Sequence, residues 1–309
     1  MELTTQLKKR FCKDCNLSLQ LYNEPYFTER VRLLGKLDEL NNFKNTLDNF
    51  KSDEDFLSYN NKVRDSIIDY IKESSAFKSL NSCDMNKYAI PDEYRNFAKT
   101  DVYKIPNIGH YFLSIDLRKA NFSALVKYAK ETNTEFFNSY NWEDFMHKFT
   151  ELEYFTNSKY IRQVVFGNCN PKRQIGYESY LITKWLEQLE EKVPNTPVYC
   201  IHSDEVILRA DNLSENTRDI IKNIAENSDI PLKFEFFRLG KITNSDAFIK
   251  FIYDNNNAYT TEVKCIQPWE TPAIYRMLNG EKPSDDDLYF DFNGRLAKFN
   301  EPVEYKINF

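Results

Sequence analysis

Three carboxylates lie beside apolar, β-prone runs of this sequence, and carboxylates of this kind can bind metal ions. Asp116 ends the apolar run 111–115. Asp204 and Glu205 form a polar corner inside a second apolar segment, 198–208, which predicts a β-hairpin whose turn holds charge. Carboxylates gathered at strand ends suit a hard divalent cation that keeps positions open for phosphate oxygens. The three acids therefore predict a metal site for phosphate chemistry.

The elements around these acids would bring them together. In chain order they are a strand at 111–116, a helix at 118–131, a hairpin at 198–210, a helix at 214–227 and a strand at 232–238. With the intervening helices counted as an insertion, this is the order of the ferredoxin-like split βαβ unit. In that unit the first strand and the hairpin turn meet on adjacent central strands. The order therefore predicts that Asp116 lies beside Asp204 and Glu205.

Basic residues gather between the two acidic motifs. Lys159 and Arg162 are three residues apart and share one face of a helix predicted at 158–166. Lys172 and Arg173 follow the next turn. Four cations at this spacing could hold the charge of a triphosphate. A solvated helix face is the other interpretation, and the residues leave both open.

These motifs resemble the palm of right-hand nucleic-acid polymerases, including reverse transcriptases and lesion-bypass DNA polymerases. The first palm motif of those enzymes is an apolar strand ending in a metal-binding Asp, as in Phe-Leu-Ser-Ile-Asp116. Their catalytic hairpin carries Asp-Asp or Ser-x-Asp-Glu, and His202-Ser-Asp-Glu205 lies between those forms. The segment 159–168 is similar to the basic helix that holds the incoming triphosphate and the templating base. The resemblance covers roughly residues 105–240, and the residues from Arg118 depart from both families.

The resemblance implies an α+β fold in which a ferredoxin-like (βαββαβ) polymerase palm carries a helical insertion. It implies template-directed nucleotidyl transfer by a two-metal mechanism, with Asp116, Asp204 and Glu205 as ligands of Mg²⁺ or Mn²⁺. The substrates would be nucleoside triphosphates and a primer–template nucleic acid. The residues assigned to binding them are Lys159, Arg162, Lys172, Arg173, Arg118 and Asn121.

Two further features follow from the same resemblance. Asn121 falls where right-hand polymerases often carry a bulky aromatic that blocks the ribose 2′-hydroxyl. A smaller polar side chain could hydrogen-bond that hydroxyl and favour ribonucleotides, whereas Phe122 would restore the block. Lys233 and Lys241 follow the hairpin, where reverse-transcriptase-like palms place a lysine near the leaving pyrophosphate. The alternative is that both are ordinary surface lysines.

The rest of the chain divides by periodicity. Apolar residues recur three and four apart at 28–40 and 53–71, which predicts helices, and Ser52 with Asp55 predicts an N-cap for the second. A turn-rich passage, 91–109, places a boundary near residue 100. We therefore expect a helical N-terminal region (1–100), a palm with a fingers-like insertion (101–240) and a C-terminal strand and helix extension (241–309).

Composition limits the class of protein. The 309 residues are 41% hydrophobic, enough to bury a core. A net charge of -6 argues against a surface that binds nucleic acid throughout, although a local basic groove stays possible. The seven glycines form neither a GxGxxG nor a P-loop motif. No run approaches the roughly 20 apolar residues of a membrane span, and the N-terminus lacks a signal peptide pattern, so we expect a cytoplasmic protein without membrane contact.

The six cysteines are scattered, which favours reduced thiols in such a protein. Cys12 and Cys15 form one CxxC. A structural zinc site needs four ligands, and no second CxxC or closely spaced His pair follows. An unremarkable pair is therefore favoured over zinc.

Two other functions stay open. One is a cyclic-nucleotide synthase with a palm domain, although the Gly-Gly pair of such enzymes is replaced by His202-Ser203. The other is a non-catalytic nucleic-acid or protein interaction module on a degenerate palm. The chain is small and acidic for a processive polymerase, so a protein partner could supply a missing basic groove. Its Asn, Lys and Tyr content indicates an AT-rich genome, such as that of a bacterium or its phage.

Overall fold

The computed structural model describes residues 3–95, 102–254 and 258–309, and the boundary expected near residue 100 lies outside them. Helices fill the N-terminal third and an antiparallel sheet runs through the remainder, so the predicted mixed α+β class is confirmed. Within the described residues, no helix has both the length and the apolar character needed to cross a membrane.

Side-chain caps set the starts of several N-terminal helices. These helices are α1 (Thr5–Asp14), α2 (Tyr26–Leu33), α3 (Leu37–Leu47), α4 (Asp53–Glu73), α5 (Ser75–Ser82) and α6 (Asp92–Arg95), with a 3₁₀ turn at Met85–Tyr88. The Ser52 side chain accepts a hydrogen bond from the Asp55 backbone N–H at 3.2 Å, which confirms the predicted N-cap of α4. Asp55 in turn accepts from the Lys51 N–H at 3.1 Å.

The segment predicted as one helix at 28–40 is two helices, and that prediction was wrong at one residue. Gly35 adopts φ +65° and ends the first helix. The Lys36 N–H then donates to the Val31 carbonyl at 2.9 Å, which satisfies one of the free carbonyls at the helix end. A glycine takes this left-handed conformation without strain, so the chain turns there between α2 and α3.

The central part of the chain follows the predicted order of strands and helices. It contains β1 (Tyr111–Leu117), α7 (Ala120–Thr132), α8 (Trp142–Met146), α9 (Glu153–Thr156), α10 (Lys159–Gly167), α11 (Pro171–Lys192), β2 (Val198–Ile201), β3 (Glu205–Arg209), α12 (Glu215–Glu226) and β4 (Leu232–Ile242), with a 3₁₀ turn at Ile105–Asn107. The C-terminal part contains β5 (Phe248–Tyr253), β6 (Tyr259–Lys264), α13 (Thr271–Leu278), a 3₁₀ turn at Asp285–Leu288, β7 (Tyr289–Phe292), β8 (Arg295–Lys298) and β9 (Ile307–Asn308).

In the described part of the chain, the main sheet has the strand order β2-β3-β1-β4-β5-β6, with β9 pairing the end of β4. Every neighbouring pair is antiparallel. The first strand of the unit, β1, thus lies between the second strand of the hairpin and β4. A separate two-stranded sheet joins β7 to β8.

The two faces of the sheet have different surroundings. Leu113 and Ile115 belong to a large apolar core that also contains residues of α7 and α11. Phe112 belongs to a smaller apolar cluster with Ile207 and Phe237. Because side chains alternate along a strand, Ser114 and Asp116 share the face of Phe112. The helices therefore cover one face, and Asp116 lies on the other face at the end of β1.

The N-terminal helices share the large core with the central sheet, since Phe11, Phe43 and Phe56 belong to the same apolar cluster as Leu113. The C-terminal segment is tied back to these helices by buried charge. Arg276 makes two hydrogen bonds with Asp287, at 2.7 and 3.0 Å, and also contacts Glu29 of α2 at 2.9 Å. The three sequence regions are thus joined by direct contacts.

Candidate functional site

Two of the predicted acids face each other across the centre of the sheet. Asp116 of β1 is directly opposite Glu205 of β3 in the antiparallel register. Side chains at such positions point to the same face, about 5 Å apart at Cβ. The Leu117 N–H donates to the Asp204 carbonyl at 2.8 Å, which places the backbone of Asp204 beside the end of β1. The structure therefore brings together the three acids that the sequence singled out.

The hairpin turn is closed locally. The His202 N–H donates to the Glu205 carbonyl at 2.8 Å, so Ser203 and Asp204 form a two-residue turn. The Ser203 hydroxyl donates to the Asp204 carboxylate at 3.2 Å. This short connection fixes the position of Asp204 relative to β1 and leaves its side chain half-buried.

The acids repel one another and their surroundings disfavour charge. Burial, followed by the negative charges of Asp204 and Glu205, raises the pKa of Asp116 from 3.8 to about 7. Lys233, directly opposite Asp116 on β4, acts in the other direction and lowers that pKa. The repulsion exceeds what this one lysine offsets, so a bound cation would relieve it.

Ser114 holds Glu205 and was not singled out by the sequence. Its hydroxyl donates to Glu205 Oε1, and Ser114 itself is only 2% exposed. A polar residue inside an apolar strand, two positions before Asp116 and therefore on the same face, was the available signal. Ser114 thus orients one of the three carboxylates.

Within the described ranges, no three His, Cys, Asp or Glu side chains are grouped so that they could hold a metal ion as they stand. The donors themselves are carboxylate oxygens, which are the ligands that Mg²⁺ takes. The chemistry of Asp116, Asp204 and Glu205 therefore fits a hard divalent cation.

A fourth carboxylate, Glu178 of α11, lies on the helix-covered side of the sheet and interacts with Asp204. It is 2% exposed, and it accepts a hydrogen bond from the Asn121 side-chain amide at 3.0 Å. Burial and then the charge of Asp204 raise the pKa of Glu178 to about 7, against the lowering effect of Asn121. The sequence signal was an acid within the apolar stripe of a long helix, between Tyr177 and Leu181. Its partners depend on how α7 packs on α11, which local pattern does not give.

Asn121 and Phe122 take different places. Phe122 is fully buried, and its ring lies 5.3 Å from that of Trp142 and 5.2 Å from that of Phe145. Asn121 is half-buried and turned toward Glu178. Phe122 is therefore a core residue, and Asn121 is the one of the two that lies beside the carboxylates.

Arg162 interacts with Glu143, which is bonded to a lysine in the turn after β1. Its guanidinium lies 6.0 Å from the Trp142 ring, and burial lowers its pKa while the neighbouring Glu143 raises it. Glu143 also accepts hydrogen bonds from Lys119 Nζ. Lys119 adopts φ +51° in the β1–α7 turn. Arg162, Glu143 and Lys119 thus form a charged chain from α10 to the end of β1.

The other predicted binding residues are more dispersed. Arg173 Nη1 donates to the carbonyls of Leu80 and Cys83 at 3.0 and 2.9 Å, so this arginine ties α11 to α5. Lys159 and Lys172 are exposed at the starts of α10 and α11. The structure does not draw Arg173 to the carboxylates, because its guanidinium satisfies the end of another helix.

Arg118 and the two later lysines also have defined contacts. Arg118 Nε donates to the Leu232 carbonyl at 3.1 Å, which fixes the end of β1 against β4. Lys241 Nζ donates to the Ala247 carbonyl at 3.1 Å, a contact that closes its own hairpin. Lys233 pairs with Glu235 while facing Asp116. Of these two lysines, Lys233 is the one next to the site.

Of the CxxC pair, Cys12 lies in α1 and Cys15 caps the C-terminal end of that helix. Burial is the first cause that raises the pKa of both Cys12 and Cys15, to about 12. The described residues offer them no further ligands for a metal ion. Thiols held neutral in this way are unreactive at physiological pH.

No family model matches the chain, and no curated protein matches it.

Proposed function

We propose that the chain catalyses template-directed nucleotidyl transfer, as a DNA or RNA polymerase, at Asp116, Asp204 and Glu205. The observation that supports this most is the pairing of Asp116 with Glu205 on adjacent central strands, with Asp204 at the adjoining turn. The antiparallel order β2-β3-β1-β4 is the order of a ferredoxin-like unit, and we assign this part of the sheet to a polymerase palm.

Asp116, Asp204 and Glu205 would hold the divalent cations, Mg²⁺ or Mn²⁺. Their oxygen donors and their unrelieved repulsion favour this assignment. When bound, such ions lower the pKa of an attacking hydroxyl and neutralise charge on the transferring phosphate. The remaining work is positioning, because phosphoryl transfer needs little covalent help from the protein.

The chain's own cations would position the triphosphate. Arg162 lies at the rim of the site through Glu143 and Lys119. Its planar guanidinium can bind two phosphate oxygens at once. Lys233 faces Asp116 from the neighbouring strand and supplies a second positive charge. These two residues are the phosphate-binding groups that we assign.

Ser114 and Glu178 would keep the polar groups of the site in place. The Ser114 hydroxyl holds one oxygen of Glu205 and leaves the other for a cation. Glu178 accepts from the amide nitrogen of Asn121, so the amide oxygen of Asn121 is left to accept a hydrogen bond from substrate. Both are positioning residues in this proposal.

Incubation with labelled dNTPs and NTPs on DNA and RNA primer–templates, with Mg²⁺ or Mn²⁺, tests the proposal. Lengthening of the primer according to the template supports it. A labelled cyclic product without a primer would replace it with the cyclic-nucleotide synthase. Absence of any product, together with no effect of Mg²⁺ on thermal stability, would leave a non-catalytic interaction module.

A further inference from the structure

Helix α1 carries two exposed lysines that the proposed site does not use. Lys9 and Lys13 are four residues apart, so they lie about 6 Å apart along one face of the helix. No carboxylate in the described part of the chain forms an ion pair with either of them. By contrast, Lys8 pairs with Glu24 at 2.7 Å and Arg10 with Asp14 at 2.7 Å. In a chain of net charge -6, this face is locally cationic.

An aromatic ring of α10 lies against this face of α1. Tyr160, half-buried in the first turn of α10, has the Arg10 guanidinium 4.9 Å and the Lys13 ammonium 5.9 Å from its ring centre. Asp14 and the Asn60 side chain fix Arg10 from behind, at 2.9 and 3.1 Å. The ring and the guanidinium therefore lie together beside two lysines, of which Lys13 contacts the same ring and Lys9 lies 5.6 Å from the ring centre of Tyr22.

These residues line a groove between α1, α4 and α10. Its cavity has a volume of about 540 Å³, with Lys9, Lys13 and Tyr160 on its walls and Leu57 of α4 among them. Asp53, bonded to Thr4, marks the end of the groove at the start of α1. We call this cavity the α1–α10 groove.

We propose that the α1–α10 groove binds single-stranded nucleic acid. The choice of nucleic acid rests on the proposed function. Lysines contact phosphates whatever the sequence, and an aromatic ring offers a stacking surface for any base. A cationic groove with a ring between its charges fits this ligand better than it fits an acidic peptide, which has no bases to stack.

Fluorescence anisotropy with labelled oligo-deoxythymidine and oligo-uridine, in EDTA and without nucleotide, tests the groove apart from catalysis. The Lys9→Ala/Lys13→Ala variant should bind about tenfold more weakly. The slope of log binding constant against log salt concentration should become shallower by about 1.4, for two lost phosphate contacts. Tyr160→Ala should weaken binding about tenfold while Tyr160→Phe keeps it. Lys192→Ala/Lys282→Ala removes the same charge at other exposed positions and should bind like wild type.

The outcomes separate this inference from the proposed function. Asp204→Asn/Glu205→Gln should bind the oligonucleotides as tightly as wild type. If the Lys9/Lys13 variant binds the oligonucleotides like the control, with the same salt dependence, the groove does not bind nucleic acid. This conclusion holds even where primers are extended. Tighter binding of poly-glutamate than of either oligonucleotide would also overturn it. Loss of oligonucleotide binding in the groove variants, with unchanged melting temperature, supports the groove even where no primer is extended.

Discussion

Asp116 at the end of β1 lies directly opposite Glu205 at the start of β3, and the two carboxylates share one face of the sheet. Neighbouring acids of like charge at the centre of a sheet oppose folding. Burial and then this repulsion raise the pKa of Asp116 to about 7, although Lys233 acts in the other direction. An arrangement that costs stability in this way is typical of a functional site.

The first prediction concerns pH and stability without divalent cations. Because the folded-state pKa of Asp116 is about 7 against an ordinary 3.8, the folded protein holds a proton that the unfolded chain releases. This contribution is fully present below about pH 4 and is lost as the pH rises through 7. Asp116→Asn should therefore melt a few degrees higher than wild type above pH 7 in EDTA, with a flatter pH profile, in circular dichroism melts. Glu301→Gln, at an exposed position, is the control and should follow the wild-type profile.

The second prediction concerns metal binding. A cation that binds only the folded state raises its stability, by about 2.7 kcal/mol at a concentration 100 times the dissociation constant. Mg²⁺ should raise the melting temperature of wild type above pH 7, at constant ionic strength. The rise should be absent in Asp116→Asn and in Asp204→Asn. An equal rise in wild type and both variants would place the bound metal elsewhere.

The third prediction concerns Asn121 and Glu178, joined by one partly buried hydrogen bond of 3.0 Å. Asn121→Leu leaves the Glu178 carboxylate without this donor, which should lower the free energy of unfolding by about 1–3 kcal/mol. Asn121→Leu should lower the free energy of unfolding by a smaller amount when Glu178→Leu is also present. The difference is a coupling energy of about 1–2 kcal/mol in a double-mutant cycle. Urea denaturation measures all four proteins. Additive effects would show that the two side chains do not interact in solution.

The fourth prediction separates two arginines that the sequence grouped together. We assign Arg162 to the triphosphate in the proposed function, so Arg162→Ala should raise KM for nucleoside triphosphate about tenfold with a normal melting temperature. Arg173 donates to two carbonyls at the end of α5, so Arg173→Ala should lower the melting temperature and leave KM unchanged. Steady-state kinetics and thermal melts on both variants check this. The reverse pattern would assign the phosphate to Arg173.

The sequence predicted the parts of the fold that depend on local pattern. Apolar runs and a polar corner were enough to place β1 and the hairpin, and strand order then brought Asp116 to Glu205. The end of α2 was missed because one glycine at φ +65° overrode a continuous apolar periodicity.

The contacts of Glu178, which the sequence missed, and of Arg162, which the sequence named, depend on packing between helices. Glu178 meets Asn121 only because α11 lies on α7, and Arg162 meets Glu143 only because α10 lies near α8. The spacing of Lys159 and Arg162 gave their shared face, but not the direction that each side chain takes. Tertiary contacts therefore decide which cations reach the site.

Primer extension by wild type beside Asp204→Asn/Glu205→Gln tests the central claim most directly. The variant keeps the size of both side chains and removes two negative charges, so it should fold like wild type. We expect template-dependent product from wild type with Mg²⁺ or Mn²⁺, and a loss of at least about 100-fold in the variant, on the scale of removing a group that stabilises transition-state charge. Equal extension by both proteins, or none by a correctly folded wild type, would contradict nucleotidyl transfer at these carboxylates.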